Sequence, residues 1–301
     1  SVVIFMSRST SLPMPSTAPA LLIYLYAFIG VTVFAFTLPM TRLAVQSFDP
    51  WLVGMARASI AGVFAAIILL ATRSRRPTAS EWRGIALSCT GVIVGWPVFS
   101  SIAMQTVPSS HGAVLSGLIP LATAIVASAR SGEPLSRRFW MLSLLGAVLV
   151  LLYAFYIGEG ALQTGDIWLA LAVFMSGVGY AEGGRVARTL GGWRTICWCL
   201  AASLPLTIPA TLWLTFPMTE MPSSQSVMAL LYLALFSSLL GFFPWYKAMA
   251  MGGVARIGQV QLAQPFLTVL ISAVWLSEQV DLLTWLSCIV IIAIIAASRR
   301  A

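Results

Sequence analysis

The chain has 301 residues, 59% of them hydrophobic and only 9% charged, with a mean hydropathy of +0.93. Globular chains carry roughly a quarter charged residues, so a soluble globule with a polar skin is excluded and lipid must be the solvent. The formal net charge of +8 does not point to nucleic acid, because the basic residues fall between apolar windows, where they encode orientation in a membrane.

In chain order, residues 1–19 form a lead that is Ser/Pro/Thr-rich from Ser7 to Pro19, expected to be a disordered tail. Its apolar start, Ser1 to Met6, is too short and wrongly flanked to act as a signal peptide. Ten windows able to cross a bilayer core of about 30 Å follow, at approximately 20–45, 51–71, 84–106, 110–129, 138–157, 166–187, 194–215, 226–249, 254–275 and 281–298. With the N-terminus inside, the inner segments receive Arg8; Arg73, Arg75, Arg76 and Arg83; Arg130, Arg137 and Arg138; Arg185, Arg188 and Arg194; Lys247 and Arg256; and Arg299 and Arg300. The outer loops hold Asp49, Glu159, Asp166, Glu220, Glu278 and Asp281 and no Lys or Arg. This asymmetry predicts an all-α integral membrane protein of ten helices with both termini cytoplasmic.

Residues 111–149 and 256–294 align without a gap at an offset of 145, keeping Pro120/Pro265, Thr123/Thr268, Glu133/Glu278 and Trp140/Trp285 in register, with Ala103-Met104 recurring upstream as Ala248-Met249. An odd number of spans separates the copies. Two five-helix halves, 20–157 and 166–298, joined through Gly158-Glu159-Gly160, are therefore expected to insert upside down relative to one another. Halves related in this way can enclose a cavity open to one side or the other, the architecture of an alternating-access transporter. Glu133 then lies in a cytoplasmic loop and Glu278 in an external one. Each precedes the next helix and is read as capping its positive end, with Trp140 and Trp285 as interfacial anchors.

Proline removes an amide donor and frees a carbonyl one turn earlier, which lipid tolerates only where the break faces protein or a wet cavity. Pro39, Pro97, Pro120, Pro205, Pro209, Pro244 and Pro265 all fall within spans. The repeat-related pair, Pro120 and Pro265, is expected to act as hinges where spans four and nine bend and line the pathway. Polar residues near the same depth are Gln259, Gln261 and Gln264 in span nine, Ser116 (the counterpart of Gln261) in span four, Trp96 and Ser100 in span three, Tyr180 in span six, and Thr32 and Thr37 in span one. Any one of them can simply glue helices together. As a set they are read as a substrate site, with Thr37, Trp96, Ser116, Tyr180, Gln261 and Gln264 as contacts. Phe34, Phe36, Phe99, Phe242, Phe243, Trp245 and Tyr246 would supply flat walls for a planar substrate. Gly91/Gly95 and Gly179/Gly183 form GxxxG pairs that allow close helix approach.

Lys247, the only lysine, and Arg57, about two turns into span two, are assigned to attraction of substrate charge. Arg57 should pair or face water, with Asp49 as its candidate partner. His111, the only histidine, is read as a solvated surface residue, and Glu182 as a partner of Arg185 or Arg188. The four cysteines, Cys89, Cys197, Cys199 and Cys288, sit within spans as small apolar residues; Cys197 and Cys199 point about 200° apart around a helix and cannot share a metal. One histidine excludes HExxH, and neither GxSxG nor a midplane aspartate pair is present. Neither an enzyme nor a metal or cofactor site is expected.

The stretch IPLATAIVASARSGE ending at Glu133 and its counterpart QPFLTVLISAVWLSE, Gln264 to Glu278, each followed seven residues later by tryptophan, carry a resemblance together with Arg57. On these residues the chain resembles the drug/metabolite transporter superfamily, specifically its EamA-like branch of ten-span proteins built as five plus five. The likeness covers nearly the whole chain and specifies the family better than the substrate. The size, the segment WPVFSSIAMQTVPSSHGAVLSGLIPL and the aromatic content are most similar to the aromatic amino acid exporters of that branch. The resemblance implies export of amino acids, aromatic ones foremost, and of related metabolites or drugs across a bacterial inner membrane. It implies a monomer whose partners are lipid and a small-molecule substrate, with helices five and ten at the periphery of a central cavity. Export of other amino acids, metabolites or cationic drugs is the alternative reading. A non-transporting scaffold is a third, but it leaves the inverted duplication without a purpose.

Overall fold

The computed structural model describes residues 20–131, 136–157, 161–253, 257–258 and 260–299. The expected tail at 1–19, Glu133, the Gly158-Glu159-Gly160 turn, Arg256, Gln259 and Arg300 lie outside the described residues. All regular structure among the described residues is helical. Eight helices are long and apolar enough to cross a membrane: α1 (Ala20–Ala44), α2 (Pro50–Ala71), α3 (Ala79–Ala103), α4 (Ser109–Arg130), α5 (Arg137–Tyr156), α6 (Thr164–Leu190), α7 (Gly192–Thr215) and α8 (Ser224–Gly252). Two shorter apolar helices follow, α9 (Val260–Trp275) and α10 (Leu282–Ile294).

Helix starts follow from local chemistry. Asp49 caps α2, accepting from the Trp51 and Leu52 amides at 2.9 and 3.3 Å, and Pro50 fills the first position, where no amide is needed. Thr78 and Glu81 form a reciprocal capping box at the start of α3. Gly191, at φ 94°, ends α6 in a backbone conformation that side chains disfavour, so α7 can begin at the next residue.

The intramembrane prolines leave visible marks. In α1 the helix is interrupted at Phe36, between Ala20–Ala35 and Thr37–Ala44. Pro39 cannot donate to the Ala35 carbonyl, and the Thr268 hydroxyl of α9 does so instead at 2.9 Å. α4 is interrupted at Gly117 and Leu118, immediately before Pro120, and α9 opens with a 3-10 turn, Val260–Leu262, just before Pro265. At the repeat offset Gly117 corresponds to Leu262, so the two irregular turns overlap there. α3 contains a π-helical stretch, Cys89–Gly95, ahead of Pro97, and α8 contains another, Leu233–Leu240, ahead of Pro244. Adding 145 to 89 and 95 gives 234 and 240, inside the second stretch. A widened turn is one way to accommodate a missing amide.

Small residues bring helices into backbone contact. A Cβ on Gly91 of α3 would lie 2.4 Å from the Met175 carbonyl oxygen and 2.6 Å from the Gly179 Cα of α6. Gly62 of α2 meets Leu200 and Leu204 of α7, and Gly30 of α1 meets Trp245 of α8. α5 pairs with α10, and only 29% of its apolar window is buried, against 56% to 67% in α2, α3 and α4. That helix consequently presents Met141, Leu144, Leu151 and Leu152 outward.

Candidate functional site

The most unusual side chain in the interior is Arg57, on the second turn of α2 and only 2% exposed. Its Nε donates to Ser238 Oγ and its Nη2 to Ser237 Oγ, both at 2.9 Å. Ser237 Oγ lies 2.8 Å from Thr37 Oγ1. The two serines are adjacent in the π-helical stretch of α8, whose widened turn offers both hydroxyls to α2. Arg57 Nη1 is buried and has no partner. Among the described residues no carboxylate pairs with Arg57. The expected Asp49 partner is ruled out, because its carboxylate is engaged in capping its own helix.

Tyr180 of α6 reaches the same region, its ring centroid 6.5 Å from that of Phe34, which lies three residues before Thr37. Gln261 Nε2 points to Gln264 Oε1 and Gln264 Nε2 to the Phe34 carbonyl, each at 3.5 Å. Four rings pack together there. The Phe34 centroid is 4.8 Å from Phe242 and 6.1 Å from Trp245, and Tyr180 is 6.0 Å from Phe242 and 6.1 Å from Trp245. Trp245 is fully buried, and its indole Nε1 also lacks an acceptor. A cluster with two unmatched donors and a positive charge is equipped to receive an acceptor-rich group.

The structure thus brings together Thr37, Arg57, Tyr180, Gln261 and Gln264, with Pro265 next in the chain. Trp96 packs in the same core cluster. Ser116 is buried but returns its hydroxyl to Ala113 O of its own helix at 2.7 Å, and Pro120 follows the interruption of that helix. Lys247 stands apart: it is exposed, with Nζ 3.0 Å from Tyr26 Oη and 4.3 Å from the Tyr26 ring centroid. Ser237 and Ser238 were missed by sequence reasoning. Their signal was a pair of hydroxyls inside LALFSSLLG, just ahead of Pro244.

The two ends of the bundle are stitched differently. At the end carrying Asp49, Asp166 and Glu278, the Glu278 carboxylate accepts from the Ser109 amide at 2.9 Å, Ser109 Oγ at 2.7 Å and the Ser110 amide at 2.9 Å. It therefore caps α4 rather than the following helix; Asp281 takes that role by accepting from the Thr284 amide. Burial opposes ionisation of Glu278, but these hydrogen bonds outweigh it and hold its pKa below the ordinary carboxylate value. His111 is not solvated. It is 2% exposed, its Nε2 lies 2.5 Å from Asp166 Oδ1, and its ring stacks on Tyr153. The first half of α4, Ser109–Ser116, packs against Ala263–Trp275 of α9.

At the opposite end Glu182 is held by Arg130 Nε at 2.6 Å and Arg185 Nη2 at 2.8 Å. Glu182 thus pairs with Arg185 as one of the two expected options, and Arg130 replaces Arg188. Glu81 binds Arg75 at 2.8 Å and Thr189 Oγ1 at 2.7 Å. Here the second half of α4, Ile119–Ser131, packs on α6, with Gly177 against Ala122 and Thr123.

The profile of the EamA-like transporter family matches this chain twice, over residues 21–155 and 163–299. The uncharacterized transporter YdeK of Bacillus subtilis (strain 168) is 39% identical over 277 residues, 92% of this chain and 96% of that one. The uncharacterized inner membrane transporter YedA of Escherichia coli (strain K12) is 24% identical, covering 89% and 86% of the two chains. The protein named "Probable terminal-alkyne amino-acid exporter" of Streptantibioticus cattleyicolor is 23% identical, covering 82% and 83%. A solved crystal structure matches with a TM-score of 0.65 at 18% identity over 92% of this chain and 97% of its own, a likeness of fold.

Proposed function

The chain belongs to the EamA-like transporter family and is a multi-pass protein of the bacterial inner membrane. On that premise we propose that it exports small amino-acid-type metabolites, aromatic amino acids foremost, by alternating access. In this reading the halves 20–157 and 166–298 lie antiparallel in the membrane with both termini cytoplasmic. The end carrying Glu278 is external and closed, and Thr37, Trp96, Ser116, Tyr180, Gln261 and Gln264 contact substrate. The observation that carries the reading is the cluster of polar and aromatic side chains around Arg57, assembled from α1, α2, α6, α8 and α9, where α1, α8 and α9 depart from regular α-helix. Helix irregularity inside a membrane is tolerated where it lines a site. Pro120 and Pro265, beside the interruptions of α4 and α9, serve as hinges.

Purified protein in liposomes, offered radiolabelled tryptophan, threonine, a dipeptide and a cationic dye, tests this. Tryptophan should be carried and should be competed by aromatic but not aliphatic amino acids. Folded protein that carries none of the four would refute it.

A further inference from the structure

Arg57 and Trp245 present an unfilled requirement. A guanidinium offers five N–H donors and an indole one, and neither accepts. In this core Arg57 finds only hydroxyls, from Ser237 and Ser238, while its Nη1 and Trp245 Nε1 find nothing. The two are joined through α1: Ser237, which takes the Arg57 Nη2 bond, lies 2.8 Å from Thr37 Oγ1, and Phe34, three residues before Thr37, meets the Trp245 ring at 6.1 Å. Burying a cation without an anion is costly even after relaxation, and leaving buried donors unmatched adds to that. Water could occupy a donor but would leave the charge uncompensated. A carboxylate does both, since it carries the opposite charge and about four acceptor positions, and guanidinium is the side chain best shaped to grip it.

Among the described residues the buried acids do not share this condition, and Arg194, whose Nε also lacks a partner, is only half-buried and lies over the Trp193 ring at the start of α7. Glu81 and Glu182 are each held by arginine, and Asp166 lies in hydrogen-bond contact with His111 Nε2 and accepts from the Gln163 amide. Lys247 is exposed and engaged with Tyr26.

We propose that Arg57, with the indole N–H of Trp245, forms the subsite for a substrate carboxylate, and that the transported molecules are therefore small carboxylic acids, zwitterionic amino acids included, rather than amines or dications. This rests on the export reading above and narrows its substrate class. Phe34, Tyr180 and Phe242 pack on one another beside these donors, an apolar and aromatic surrounding that suits an apolar or aromatic body on the far side of the carboxylate. A dication would meet the guanidinium charge with no interior acid free to offset it among the described residues.

The test is direct binding to the purified full chain in detergent or nanodiscs, with two probe series. The aromatic series is tryptophan, indole-3-propionate and tryptamine; the aliphatic one is leucine, 4-methylpentanoate and isopentylamine. In at least one series the two carboxylates should bind at least tenfold more tightly than the amine. Arg57→Gln should remove at least tenfold of carboxylate affinity and leave the amine unchanged, and Trp245→Phe should remove a smaller part of it. Equal binding of acid and amine, binding of neither acid, or a folded Arg57→Gln protein with undiminished carboxylate affinity would overturn the subsite. If Arg57→Gln does not fold, the acid-to-amine ranking of the unaltered protein and the Trp245→Phe result decide. Flux in liposomes separates the two readings. Vesicles that move no solute defeat export while leaving the binding result intact, and flux without preference for acids defeats the subsite alone.

Discussion

Glu278→Gln should loosen the start of α4 without altering its shape. The carboxylate accepts two backbone amides and one hydroxyl, at a helix terminus whose dipole favours negative charge. A hydrogen bond to a charged group contributes about 1.5–3 kcal/mol against about 0.5–1.5 for a neutral one. Glutamine keeps one acceptor oxygen and loses the charge, so the loss comes to roughly 2 kcal/mol once the half-buried position of Glu278 is allowed for. At about 1.4 kcal/mol per tenfold, local opening of Ser109–Ser116 becomes roughly 30-fold more frequent. Amide hydrogen exchange at neutral pH, read on a peptide covering that segment, should accelerate accordingly, while α2 and α7 exchange as before. The same contacts predict a pH response. The folded pKa of Glu278 lies below its unfolded value of about 4.3, so the stabilisation is fully present above that value and is lost as pH falls through the folded pKa. Acidification from pH 7 to pH 4 should lower the unfolding temperature more in the unaltered protein than in Glu278→Gln. Unchanged exchange in the variant, with equal acid sensitivity, would refute the capping role.

Glu182 retains one arginine when the other is lost, so Arg130→Met and Arg185→Met should each cost about 1 kcal/mol or less, whereas the double change strands a buried carboxylate and should cost roughly 3 kcal/mol or more; thermal unfolding of the three variants checks this. Gly91→Ala forces a methyl group into the Met175 carbonyl and Gly179 and should lower stability by about 1–3 kcal/mol, visible as reduced yield and unfolding temperature. Pro120→Ala with Pro265→Ala restores the amides that can bond to the Ser116 and Gln261 carbonyls. That pair should preserve folding and slow tryptophan flux by about tenfold, equivalent to roughly 1.4 kcal/mol on the rate-limiting exchange; unchanged flux would remove the hinges.

How much of this was readable from residues alone depended on whether the information was local. Hydropathy marked the helices because a span is a one-dimensional property, and prolines marked the interruptions of α1, α4 and α9 because the missing amide acts one turn away. The π-helical stretches in α3 and α8 were not read, although Pro97 and Pro244 flag both, because a proline alone does not dictate which way the ladder reorganises. Asp49 looked like a partner for Arg57 through chain proximity, but it is spent on the two amides directly after it. Glu278 and His111 were misjudged for the complementary reason. Their partners, Ser109 and Asp166, lie 169 and 55 residues away, and nothing local to a loop position shows that another helix covers it. That Thr37, Tyr180, Gln261 and Gln264 lie inside the bundle was legible because several polar side chains at one depth are hard to explain facing lipid.

The His111–Asp166 contact explains why an exchanging seam should be polar. Opening the Glu278 end, as the proposed alternating access would require, must part the first half of α4 from α6 and α9. An apolar seam would then expose surface at about 25 cal/mol per Å² with no return from water. Parting the His111–Asp166 hydrogen bond or a capped amide instead recovers hydration for each group, so much of the attraction lost is repaid and the two arrangements stay close in energy, as a two-state exchange demands. Replacing both partners with apolar residues of similar size, His111→Phe with Asp166→Leu, removes a buried carboxylate together with its hydrogen-bond partner and should therefore stabilise the protein by about 1–3 kcal/mol, while depressing flux. His111→Phe alone leaves Asp166 buried without its partner and should be destabilising. Thermal unfolding and liposome flux measured side by side separate the outcomes. A double variant that is more stable and equally fast would show that this seam does not open during transport.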